Sequence, residues 1–179
     1  MAEPQLIVAQ EIPASPARTR PPEREPVRVA AVQERWRPDP DEHKAALARG
    51  VRMAAEAGAK LVCLQELTLN RYFAVDAGGP EAVGIEPEPL PGGPTHEFAA
   101  GLAAELGVHV HASLYEQAPE GELGYNTAIV VAPDGDLAAR TRKLHIPVTA
   151  GYHEDRYFQP GPGDSEPFPV SDIGDGRFG

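Results

Sequence analysis

The sequence predicts an α/β fold with an antiparallel part. Three features carry that expectation: a strand–helix–strand run over residues 27–64, a helix followed by a strand over 94–114, and two β-rich runs, 125–132 and 137–144, joined by the turn Pro133-Asp134-Gly135-Asp136. No internal repeat interrupts this order.

Residues 27–33, Val-Arg-Val-Ala-Ala-Val-Gln, hold β-branched residues in partial alternation and predict the first strand. Asp39-Pro40-Asp41-Glu42 is a helix start, with an N-cap acceptor, a proline at the first helical position and a glutamate three residues past the cap. Leu47, Val51 and Ala54 then recur at helical spacing, and Gly58 can close the helix. Leu61-Val62-Cys63-Leu64 is a continuous apolar run, expected as a strand covered on both faces. The Pro/Gly-rich stretch 84–94 is a loop. A second helix starts at Pro94 or Thr95, lines Phe98, Leu102 and Leu106 along one face and stops at Gly107. Residues 108–114 alternate as a strand, 125–132 form another, and 137–144 return as its hairpin partner. A long loop follows, then a short stretch at 168–173, and residues 176–179 look like the start of a further strand.

Composition sets the class. A length of 179 residues with 41% hydrophobic content suits one domain with a substantial core. Residues 1–26 are Pro-rich with little to bury, so they predict a disordered tail; residues 27–179 predict the folded domain. The net charge of −11 argues against nucleic acid as a partner, because phosphate neutralisation needs a basic face. No apolar run approaches the ~18 residues that span a bilayer. Leu6-Ile7-Val8 is too short for a signal h-region, so the expected location is the cytoplasm, with no membrane partner. Cys63 is the single cysteine, which excludes an intramolecular disulfide.

Three residues stand out as chemical candidates. Glu66 directly follows the apolar run. A buried strand delivers the next residue to the sheet edge, where α/β proteins build their sites, and a carboxylate backed by apolar residues there is poorly solvated and suited to proton transfer. The plainer alternative is a glutamate that caps an element or pairs with an arginine. Lys143 lies at a strand end before a Pro-terminated loop; it can face a developing oxyanion or simply be solvated, and Arg142 competes for the role. Glu154 sits in an aromatic and charged loop, which can be a binding loop or an acidic surface turn. His109 and His111 share one face of a predicted strand, but a metal site needs further ligands, and no metal is expected. Cys63, inside the apolar run, is expected to be an inert core thiol.

Taken together, these segments resemble the nitrilase, or carbon–nitrogen hydrolase, superfamily. The resemblance rests on Leu64-Gln65-Glu66-Leu67 with Tyr72-Phe73 downstream, on Arg142-Lys143-Leu144-His145-Ile146-Pro147, and on Glu154-Asp155-Arg156-Tyr157-Phe158-Gln159-Pro160-Gly161. Residues 29–33 look like the family's first strand and Tyr125-Asn126-Thr127-Ala128 like its Tyr-Asn-Thr/Ser strand. The Lys-x-His-Ile-Pro form is most similar to the branch containing N-carbamoylputrescine amidase and β-ureidopropionase.

The resemblance implies a four-layer α-β-β-α sandwich, incomplete at the C-terminus. It implies hydrolysis of an amide or N-carbamoyl amine by a Glu-Lys-Cys thiol mechanism. Glu66 matches the general base, Lys143 the lysine facing the oxyanion, and Glu154 a second glutamate that positions substrate and supports the lysine. No metal or organic cofactor is implied. The intact protein is expected to form a homo-oligomer. The family nucleophile, a cysteine at the end of the following strand, falls beyond residue 179, so this chain alone is expected to be inactive. Two other readings stay open: a catalytically inactive pseudoenzyme or binding module of the same fold, and a metal-dependent phosphoesterase.

Overall fold

The strand–helix–strand start forms as the sequence dictates. In the computed structural model, which describes residues 4–11, 16–17, 20–21, 23–118, 123–162, 168–174 and 176–179, strand β1 (Val29–Ala31) leads to helix α1 (Pro40–Glu56) and strand β2 (Leu61–Cys63). The disordered-tail expectation covers residues 1–26. Of these, 1–3, 12–15, 18–19 and 22 lie outside the described residues, and the others carry no helix or strand. Asp39 caps α1 by accepting hydrogen bonds from the Asp41 and Glu42 amides, both at 2.9 Å. A 3-10 turn (Phe73–Val75) and the single-turn helix α2 (Gly79–Ala82) follow, then helix α3 (Pro94–Leu106), which ends at Gly107 in the left-handed conformation that glycine adopts without strain. Strands β3 (His109–Glu116), β4 (Tyr125–Val131) and β5 (Leu137–Arg142), the one-turn helix α4 (Glu154–Tyr157) and strands β6 (Ser171–Asp172) and β7 (Arg177–Phe178) complete the order.

The main sheet has the order β1-β2-β3-β4-β5. β1, β2 and β3 are parallel, as the connecting helices require, while β3, β4 and β5 are antiparallel. Helices α1 and α3 cover one face. Leu47, Val51 and Ala54 of α1 and Ala99, Leu102 and Ala103 of α3 pack there against Val62, Leu64, Val110 and Ile129. Full burial of a leucine or valine side chain of this kind contributes about 1.5–3 kcal/mol.

The opposite face is covered differently. A short β6–β7 ribbon lies over Leu61 and Val130, with Ile173 and Phe178 as its apolar contacts. Beside it a groove of about 180 Å³ is lined by His111, Ala128, Val130, Ala139 and Phe178. Phe168 and Val170 are exposed close by in sequence. Among the described residues, helices cover one face, while the β6–β7 ribbon leaves Phe168 and Val170 exposed beside the other, a surface that favours association. Sedimentation velocity of the purified chain is expected to show self-association; a clean monomer at all concentrations would contradict this.

A second, smaller core lies among the loops. Phe73, Tyr115 and Phe158 pack in tilted and edge-on arrangements with ring centroids 5.1–5.5 Å apart, and Leu67 and Ala74 close the cluster. It joins the segment after β2, the end of β3 and the segment after α4.

Candidate active site

Alternation along the antiparallel strands sorts the charged residues at one sheet edge. Thr127 pairs with Arg142 in register, and the next rung joins the Lys143 amide to the Asn126 carbonyl at 2.8 Å. Successive residues point to opposite faces. Thr127 and Arg142 therefore share one face with Glu116, and Asn126 and Lys143 share the other.

On the first face, Glu116 is buried, with a side chain only 3% exposed. Arg142 binds it with both arms of the guanidinium, Nε to Oε2 at 2.9 Å and Nη2 to Oε1 at 2.5 Å, and the Thr127 hydroxyl donates to Oε2 at 2.6 Å. Arg142 also lies 4.1 Å from the Tyr125 ring centroid. Burial pushes the Glu116 carboxyl up, but its hydrogen bonds to Arg142 and Thr127 and the charges of Arg142 and Arg140 outweigh it, leaving the group below the ordinary carboxylate range. Arg142, which competed with Lys143 in the sequence, is thus committed to Glu116.

On the second face, the structure brings Glu66, Lys143 and Glu154 together. Lys143 Nζ donates to Glu154 Oε2 at 2.7 Å and lies 3.6 Å from Glu66 Oε1. Glu154 is 3% exposed and its other oxygen, Oε1, accepts from the Tyr72 hydroxyl at 2.5 Å. Glu66 Oε1 also accepts from Asn126 Nδ2 at 2.6 Å. Burial, the hydrogen bond to Glu154 and the charges of Glu66 and Glu154 push the Tyr72 hydroxyl far above the ordinary phenol range, so it stays a donor. In the sequence, Tyr72 and Asn126 stand out only as parts of motifs. A polar Asn on the inward phase of an otherwise apolar strand was the available signal for the second.

Each member is locally held. Past β2, Leu67 adopts a left-handed φ of +48°, which is strained for leucine, and the surrounding bonds hold it there. The Leu67 amide donates to Ser113 Oγ at 3.2 Å, the Thr68 amide to the Ser113 carbonyl at 2.8 Å, and the His43 ring pairs with the Thr68 carbonyl at 3.0 Å. This turn aims Glu66 off the sheet edge. Lys143 is fixed on its other flank by Gly161, whose amide donates to the Lys143 carbonyl at 2.9 Å. A Cβ on Gly161 would stand 2.8 Å from the Arg142 carbonyl oxygen, so only glycine lets the chains meet this closely. Glu154 starts α4, tied down by the His153 amide bonding to the Ala74 carbonyl at 2.7 Å and by buried Phe158.

One expectation changes. Glu66 was expected to be poorly solvated, but its side chain is 46% exposed; β2 ends three residues earlier and the turn carries the carboxylate out past the apolar run. The desolvated carboxylate of the cluster is Glu154.

Cys63 lies apart, on the face of β2 that packs with Leu61, Val130 and Ile173, and burial pushes its thiol up, away from the nucleophilic thiolate. No hydrogen bond joins it to the cluster among the described residues. Among those residues, too, no group of three or more His, Cys, Asp or Glu is placed to hold a metal ion. His111 packs edge-on against Phe178, with centroids 6.4 Å apart. No helix of the described residues is long and apolar enough to cross a membrane.

The family model described as "Carbon-nitrogen hydrolase" matches residues 28–179. An N-carbamoylputrescine amidase of Solanum lycopersicum is 36% identical over 135 residues, covering 75% of this chain and 44% of that protein. The chain thus spans less than half the length of this relative. Among solved structures, a carbon–nitrogen hydrolase from Helicobacter pylori G27 superposes with a TM-score of 0.59 at 28% identity, over 75% of this chain and 45% of that one. An amidase from Nesterenkonia sp. shares the fold with a TM-score of 0.62 at 24% identity, over 84% and 53%. The fold is that of the nitrilase superfamily, and the chain covers about half of those structures.

Proposed function

The chain belongs to the carbon–nitrogen hydrolase family, and we propose that Glu66, Lys143 and Glu154 form the base-and-lysine part of a thiol amidohydrolase site. The carrying observation is a single ammonium held between two carboxylates, 2.7 Å from Glu154 and 3.6 Å from Glu66. Two carboxylates hold that ammonium in place, and its reach is the sheet edge where Glu66 is open to solvent and substrate.

The proposed substrate is an N-carbamoyl amine or a simple amide, in line with the N-carbamoylputrescine amidases that the chain resembles. Glu66 takes the proton of a cysteine thiol supplied from outside residues 1–179. The thiolate attacks the carbonyl carbon, and the oxyanion forms facing Lys143 Nζ. Glu66 returns the proton to the leaving nitrogen, the C–N bond breaks and ammonia departs. Water, deprotonated by Glu66, then attacks the thioester carbon and the thiol is released with that proton. An N-carbamoyl substrate leaves as a carbamic acid, which splits into amine and carbon dioxide; an amide leaves as the acid. Glu154 fixes Lys143 throughout. The chemistry needs neither metal nor organic cofactor, and the proposed setting is a cytoplasmic homo-oligomer of the complete protein.

The test compares the purified 179-residue chain with the complete protein in an ammonia-release assay on N-carbamoyl amines and simple amides. The complete protein is expected to turn over and the chain alone to show none. Turnover by the chain alone would move the nucleophile to Cys63 and overturn the proposed mechanism.

A further inference from the structure

Glu154 is a carboxylate almost fully removed from water, so both of its oxygens need donors from the protein. The structure supplies one to each: Lys143 Nζ to Oε2 and the Tyr72 hydroxyl to Oε1. Tyr72 comes from the segment after Glu66, not from the segment at the end of β5 that carries Lys143, and its ring stands edge-on to Tyr152, with centroids 6.4 Å apart. Its ring is therefore placed by packing, independently of the bond its hydroxyl makes.

We infer that Tyr72 is a positioning residue for Lys143: by saturating Glu154 Oε1 it confines the ammonium to Oε2 and leaves it within reach of Glu66. Without the hydroxyl, Oε1 is an anionic oxygen with no water to satisfy it. The donor already bound to this carboxylate is Lys143. The carboxylate then draws the ammonium across both oxygens, away from Glu66 and from the open edge. The inference deepens the proposed reaction and rests on it for the kinetic consequence, while the geometric consequence stands alone. The charged and titratable groups acting on the hydroxyl are Glu154, Glu66 and Tyr152.

The test substitutes Tyr72→Phe, which keeps the ring and its packing and removes only the oxygen. The chain contains three lysines, Lys44, Lys60 and Lys143, so ¹⁵N-lysine labelling gives a directly assignable Nζ spectrum. In the unsubstituted chain the Lys143 ammonium is expected as a distinct, slowly exchanging resonance. Tyr72→Phe is expected to shift it and change its exchange rate, with Lys44 and Lys60 unmoved. Glu154→Gln removes the anion through which Tyr72 acts, so adding Tyr72→Phe to it is expected to change nothing further. An unchanged Lys143 resonance in Tyr72→Phe, or full additivity with Glu154→Gln, would overturn the inference. In the complete protein, Tyr72→Phe is expected to lower kcat about tenfold, the scale of one charge-assisted hydrogen bond, with KM little changed. A KM effect with kcat intact would assign Tyr72 to substrate binding and overturn the positioning role. Absence of any amidohydrolase activity in the unsubstituted complete protein would sink the proposed reaction, whereas the lysine resonances would still decide the role of Tyr72.

Discussion

Glu66→Gln in the complete protein is expected to lower the rate of ammonia release about 10²–10⁴-fold, the usual contribution of a positioned general base. The substitution is nearly isosteric, and Asn126 Nδ2 can still donate to the side-chain oxygen that Gln retains. Lys143 keeps its 2.7 Å bond to Glu154, so the ammonium stays in place. What is lost is the ability to accept a proton from thiol and water. Because the Glu66 side chain is 46% exposed, stability is expected to change by no more than about 0.5 kcal/mol, measured by urea denaturation. A rate loss with stability intact assigns Glu66 to chemistry. Near-normal turnover would remove it from the mechanism.

The largest stability effect is expected on the other face of the same strands. Arg142→Ala leaves Glu116 buried and stripped of its bidentate partner, and breaking a buried pair in this way costs about 3–5 kcal/mol. Arg142→Lys is expected to recover only part of this, since an ammonium cannot span both carboxylate oxygens or stack on Tyr125 as a planar guanidinium does. The pH dependence follows from the direction of the Glu116 shift. Its folded-state pKa lies below the unfolded value, so the pair's contribution is fully present above the unfolded carboxylate pKa, about 4.3, and is lost as pH falls through the lower folded value. Unfolding free energies of the native sequence and Glu116→Gln should therefore differ at neutral pH and converge on strong acidification. A constant difference down to low pH would mean that Glu116 acts by shape and not by charge.

These two faces explain what the sequence could and could not disclose. The strand–helix–strand start was legible because Asp39, Pro40 and the 47-51-54 spacing are local signals, and local signals fixed α1 and α3 to within a residue or two. The apolar run at 61–64 was legible as a buried strand for the same reason. Helix α4 was not, since four residues are too few for any periodicity, and it forms because Phe158 and the Ala74 carbonyl hold it from outside. The 3-10 turn at Phe73 is likewise a product of tertiary packing.

The site was legible in part. Glu66, Lys143 and Glu154 stand out from their places at strand ends and in a charged loop, together with the motif resemblance, and the structure brings the three side chains together. The roles of Tyr72 and Asn126 depend on which face a side chain takes and on contacts 82 and 60 residues away in sequence. The Glu116–Arg142 pair was invisible for a related reason: charged residues in a strand are expected in water, and only the register shows that these two meet under α3's side of the sheet.

The central claim is that the ammonium between Glu66 and Glu154 faces the reacting carbonyl. The most direct measurement is ammonia release from N-carbamoyl amines by the complete protein carrying Lys143→Met, which retains the length of the side chain and removes its charge. The account predicts a fall in kcat of about 10²–10³-fold, as for loss of an oxyanion donor, in a protein that remains folded. Turnover at the unsubstituted rate by a folded Lys143→Met protein would contradict it.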